Sequence, residues 1–128
     1  MFDVNCVDSE AKVQGTWREF SGGSFKIAHM SSLSFQRHLN KLQQPYRKKI
    51  ESGKIDPQIS LEILCAAMSR HILLNWKGVV SAGKEIKYDE TSAYSVLMSN
   101  DDLREFVQET SLDLDNYKQE AAVANAKS

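Results

Sequence analysis

The sequence predicts a mainly α fold, a small helical domain with a short N-terminal β-hairpin. Three observations carry that reading. A long apolar segment between Asp56 and Gly78 has a helix-start signal at one end and a helix-stopping glycine at the other. Apolar residues recur at helical spacing over 35–46 and again over 103–110. One aromatic and β-branched stretch flanks the Gly-Gly of Ser21-Gly22-Gly23-Ser24, with Trp17 and Phe20 before it and Phe25 and Ile27 after, which is a hairpin signal.

Taken in order, residues 1–12 are read as a flexible leader, because Asp3, Asp8 and Glu10 stand in a stretch with little apolar pattern. A single helical domain is expected over 13–118 and a frayed tail over 119–128. After the hairpin, a helix opens near Ser32 or Ser34 and presents Phe35, Leu39, Leu42 and Tyr46 on one face. Pro45 kinks or splits it near Gln44, since proline removes a hydrogen bond and disfavours helical angles in the residue before it. Ser52-Gly53 ends the element.

Asp56-Pro57 supplies a capping carboxylate and a proline at the first helical position. The helix that follows is expected to run to about Lys77, with Gly78 as its left-handed cap. Glu62, Ser69, Arg70 and Lys77 share one narrow sector, so this is the central, largely buried helix. Beyond it, Ser81-Ala82-Gly83-Lys84 reads as a turn and Asp89 as the cap of a short helix. Ser99-Asn100-Asp101-Asp102 matches a Ser-x-x-acid helix start. Leu103, Phe106, Val107 and Thr110 form the face of that last helix, which Leu112, Leu114 and Tyr117 continue.

Composition narrows the functional classes. The chain has 128 residues, 41% hydrophobic and 26% charged, and a net charge of -1. A pI near 6.3 supplies no overall attraction to nucleic acid or an anionic bilayer. No apolar run approaches the ~20 residues that span a membrane, and no secretory signal pattern opens the chain. Cys6 and Cys65 are far apart in sequence, and Cys65 lies in an apolar segment, which fits a reducing cytoplasm.

The motifs argue against catalysis. His29, His38 and His71 have no partner at metal-ligand spacing. Gly78 and Gly83 lack phosphate-loop spacing, and there is no G-x-S-x-G elbow. No enzyme, metal or cofactor is expected. The run Arg47-Lys48-Lys49, with Arg37, Lys41 and Lys54 nearby, leaves a small nucleic-acid-binding regulator as the alternative, although a basic helix face is usually only solvated.

Gly15-Thr16-Trp17, Asn75-Trp76-Lys77-Gly78, Glu85-Ile86-Lys87-Tyr88 and Asp102-Leu103, in that order, resemble the tail assembly chaperones of long, flexible-tailed bacteriophages. In that family a helix-ending tryptophan precedes a Gly-Val turn and a short extended piece with a tyrosine, here Trp76, Gly78, Val79 and Tyr88. Asn116-Tyr117 is similar to the Asn-aromatic pair near the family's C-terminus. The leader and Pro45 depart from the pattern. The resemblance implies a non-virion protein of the host cytoplasm, absent from the mature particle. It would coat the hydrophobic tape measure protein, keep it soluble and help bring tail tube protein to it, the latter through a frameshifted longer form. Homo-oligomerisation is left open, and a structural tail completion protein is a further alternative.

A holding chaperone needs an apolar strip for its client. The candidates are Phe35, Leu39, Leu42 and Tyr46 on the first helix and Phe106, Val107, Leu114 and Tyr117 on the last, although each is also what an ordinary helix core displays. Trp17, Trp76, Gly78 and Tyr88 are expected to be structural anchors, with Trp76 and Tyr88 holding the connector between helices.

Overall fold

The computed structural model describes residues 14–113. Strands β1 (Thr16–Phe20) and β2 (Gly23–Ile27) form the expected hairpin. Its turn residues are Ser21 and Gly22, at φ 50° and 87°, while Gly23 is the first residue of β2. Positive φ at both turn positions gives a type I′ geometry, which matches the twist of the flanking strands. In β2 the alternation is plain: Gly23, Phe25 and Ile27 face inward, Ser24 and Lys26 outward.

A third strand corrects the fold class. The central helix α3 (Pro57–His71) ends at His71, and Leu73–Lys77 forms β3, antiparallel to β2. Of the described residues 57% are helical and 19% lie in strands, so the chain is mixed α/β and not mainly α. Strand order is β1-β2-β3, which makes the hairpin part of a three-stranded sheet. Periodicity cannot separate a buried helix from a buried strand in a continuous apolar run. Here the open edge of β2 supplies hydrogen-bond partners to the backbone of 73–77. The Asn75 side chain also accepts the Trp76 N–H at 2.8 Å, a local bond that competes with the helical one.

The strand needs an irregularity to work. Phe25 pairs with Trp76 and Ile27 with Leu73, and the register shifts between Lys26 and Ile27. Leu73 and Trp76 are three residues apart and would face opposite sides of a regular strand. The extra residue on the β3 side resets the alternation, and both side chains are buried with Phe25 and Ile27.

Helix α1 (Leu33–Gln43) starts after Ser32. Pro45 sits in a single 3₁₀ turn, Gln44–Tyr46, that splits α1 from α2 (Arg47–Glu51). The Asp56 carboxylate accepts the Gln58 N–H at 2.9 Å, and Pro57 opens α3 as the sequence requires. Two minimal strands, β4 (Val80–Ser81) and β5 (Lys84–Glu85), flank a second type I′ turn at Ala82 and Gly83, at φ 50° and 79°. Asp89 caps α4 (Glu90–Ser99) through the Ser92 N–H at 2.7 Å.

The last helix, α5 (Asp101–Leu112), takes Asn100 as its N-cap residue, so the start signal expected at Ser99 is displaced by one position. Arg104 donates to the Leu97 carbonyl at 2.7 Å and pairs with Asp101, which ties the end of α4 to the start of α5. Helix α3 packs against α1, α4 and β3. The core lies between the sheet and these helices, with Cys65 and Met68 of α3, Leu97 of α4 and Val107 of α5 fully buried within it. The leader 1–12, Cys6, Leu114, Tyr117 and the tail 119–128 lie outside the described residues.

Candidate functional site

The face of α1 divides into two parts. Phe35 is 1% exposed and belongs to the core, and Leu39 packs against that core. Leu42, which also packs against the core, and Tyr46 border an open cavity of about 500 Å³ between α1, α3 and α4. The 3₁₀ turn carries Pro45 to the same border. Ile59, Ile63, Ala66 and Tyr94 complete the apolar lining, and Lys41 and Glu62 charge its rim.

Sequence reasoning named Leu42 and Tyr46 but missed the opposite wall. The signal for most of it was present, because Ile59, Glu62, Ile63 and Ala66 follow the i, i+3, i+4, i+7 spacing of one helix face. It was submerged in the apolar character of α3 as a whole. Nothing local marked Tyr94, which α4 contributes from the other side. Its hydroxyl is pushed above its ordinary pKa, first by burial and then by Glu62 and Cys65, so it stays neutral at physiological pH.

Of the second candidate face, the two described residues are packed inward. Val107 is buried, and Phe106 stacks on Phe20 with ring centres 4.7 Å apart and meets Phe25 edge-on at 6.5 Å. Phe106 thus ties α5 to the sheet, and Val107 belongs to the core.

The named anchors occupy distinct places. Trp76 is 5% exposed, its indole N–H donates to the Ile86 carbonyl at 2.8 Å, and its ring meets Tyr88 edge-on at 5.2 Å. The Tyr88 hydroxyl donates to the Leu73 carbonyl at 2.6 Å. Gly78, at φ 72°, turns the chain out of β3. Trp17 is exposed on β1, with the Lys77 ammonium 4.7 Å above its ring.

Beside the groove, sharing Ala66 and Tyr94 with it, a smaller polar cavity is lined by His38, Arg70 and Glu90. His38 Nδ1 and His71 Nε2 are 3.2 Å apart, a hydrogen bond that requires at least one neutral ring. Burial lowers the pKa of both. Arg70 lowers it further for His38, and His38 and Arg70 do so for His71, against a raising influence of Glu90. Their separation of 33 residues hid this pair from spacing rules. Among the described residues no group of three or more His, Cys, Asp or Glu is placed to hold a metal ion. Arg47, Lys48 and Lys49 are all exposed on α2.

These features define a small mixed α/β domain whose helices leave an apolar groove open beside the core. Its family is that of the YdaY prophage proteins: the family model matches residues 30–128, and the chain belongs to that family and is phage-derived. Comparison with curated proteins and with solved structures found no match.

Proposed function

We propose that this prophage protein is a tail assembly chaperone that holds the tape measure protein in the α1–α3–α4 groove. The supporting observation is that Leu42 and Tyr46, on the face expected to meet a client, are only half-buried and border an open apolar cavity, Leu42 also resting against the core. An amphipathic client helix would lay its apolar stripe there, with Lys41 and Glu62 meeting its polar flanks. On this reading the protein works in the host cytoplasm, brings tail tube protein to the client through a longer frameshifted form, leaves before the particle is complete, and catalyses nothing.

Co-expression with a tape measure protein from the same prophage, followed by pull-down at low and high salt, tests the reading. The wild-type chain is expected to keep the client soluble in a complex that survives high salt. Leu42→Lys and Tyr46→Lys are expected to lose it while keeping a native circular dichroism spectrum. A client that precipitates while this chain elutes alone refutes the proposal, and so does a complex indifferent to both substitutions. The regulator reading is favoured by one observation, the exposure of Arg47, Lys48 and Lys49, and it has the opposite signature: phosphate contacts weaken steeply with salt. A tail completion protein would instead be found in purified particles.

A further inference from the structure

The near-neutral net charge conceals a strong separation. Residues 33–54, which span α1 and α2, carry six Lys or Arg against one Glu; residues 89–113, which span α4 and α5, carry seven Asp or Glu against one Arg. Two helix faces concentrate this asymmetry. On α1, Leu33, Arg37 and Lys41 stand four residues apart and are all exposed, Leu33 at 61%. On α5, Glu105, Glu109 and Leu112 form the matching exposed row, Leu112 at 64%. Within the described residues no ion pair engages Arg37, Lys41, Glu105 or Glu109. Each row places like charges four residues apart, which is unfavourable in an isolated chain.

We propose that the chain binds a second copy of itself by laying the Leu33-Arg37-Lys41 row of one protomer antiparallel against the Glu105-Glu109-Leu112 row of another. The register follows from helix geometry. At a rise of about 1.5 Å per residue the first row is about 12 Å long and the second about 10 Å. Run antiparallel, Leu33 meets Leu112, Arg37 meets Glu109 and Lys41 meets Glu105. Opposite charges face each other and the two exposed leucines cover one another. Complementary potentials of this kind set register and partner choice more than raw affinity, so the association is expected to be salt-sensitive. Every copy carries both rows, so the contact needs no other component. This inference does not depend on the chaperone reading.

Sedimentation of the purified full chain, without any client, tests it. At low salt the mass is expected to exceed the 14.5 kDa of one chain and to return to it at high salt. Arg37→Glu/Lys41→Glu and Glu105→Lys/Glu109→Lys are each expected to be monomeric at low salt, and an equimolar mixture of the two is expected to associate. All four positions are exposed, and native circular dichroism of each variant confirms that folding is kept. A wild-type chain that is monomeric at every salt concentration overturns the proposal. So does association that survives either double reversal, or a mixture that stays monomeric.

Discussion

Replacing Trp76 by alanine tests the account of the sheet most directly. The side chain is 5% exposed on the core face of β3, opposite Phe25. Truncating a buried tryptophan costs about 3–5 kcal/mol. Two local losses place this site in the upper half of that range. The Ile86 carbonyl loses its indole donor, and the edge-on contact with Tyr88, worth about 0.5–1.5 kcal/mol beyond area, disappears. Against a total stability of about 5–15 kcal/mol this is a large fraction. At about 3–5 °C per kcal/mol, between the values for smaller and for larger domains, a cost of about 4 kcal/mol or more should lower the melting temperature by at least about 12 °C. Circular dichroism is the suitable probe, since fluorescence would lose its main reporter. Trp76→Phe keeps much of the burial but not the N–H, and should cost about 1–2 kcal/mol. A Trp76→Ala melting temperature within about 4 °C of wild type would mean a cost near 1 kcal/mol and would refute the packing described for β3.

Two further perturbations probe the backbone and the histidine pair. Gly78→Ala puts a side chain on a residue at φ 72°, but the new Cβ would lie 3.4 Å from the Gly22 carbonyl, an ordinary contact. The expected loss is therefore backbone strain alone, about 1–2 kcal/mol. Gly15→Ala, at φ 86° and 3.1 Å from the Ile27 carbonyl group, should cost more, and urea midpoints decide the order. For the histidines the folded state favours the neutral rings, whereas the unfolded chain takes up protons near the ordinary value of 6.5. Their contribution is complete above that value and is lost as pH falls through the lowered folded values. Urea midpoints should therefore fall as pH drops below 6.5, and a His38→Asn/His71→Asn variant should show a shallower slope; equal slopes would exclude the pair as the cause.

What was legible in the sequence is what local chemistry decides. Asp56-Pro57 and Asp89 cap helices because their carboxylates reach backbone N–H groups two and three residues on. Pro45 splits a helix because it lacks a donor wherever it sits. Strand β3 was not legible, because its stability depends on the open edge of β2, about fifty residues earlier in the chain. The bulge that buries both Leu73 and Trp76 also erased the period-two alternation that would have marked a strand. Half of the groove could be read from α1 and α3. Phe106 and Val107 show the limit of such reading, since a helix face is apolar whether it meets a client or the core; here Phe106 meets Phe20 and Phe25, and Val107 is buried in the core.

The stretch from Asn75 to Leu97 gives the groove one lining residue, Tyr94, and also determines the geometry of the groove. The Tyr88 hydroxyl is bonded to the Leu73 carbonyl on β3, and one residue later the Asp89 carboxylate begins α4. That sequence of contacts sets where α4 starts relative to the sheet, and five residues beyond Asp89 the helix delivers Tyr94 to the groove wall opposite Leu42 and Tyr46. The same strand is the continuation of α3, whose Ile59, Ile63 and Ala66 line the groove. Trp76 and Tyr88 therefore hold two walls in register from a distance. Loosening them with Tyr88→Phe, a loss of one hydrogen bond worth about 0.5–1.5 kcal/mol, should let the walls shift and so weaken client capture in the pull-down although no lining residue is substituted; capture equal to wild type would refute the coupling.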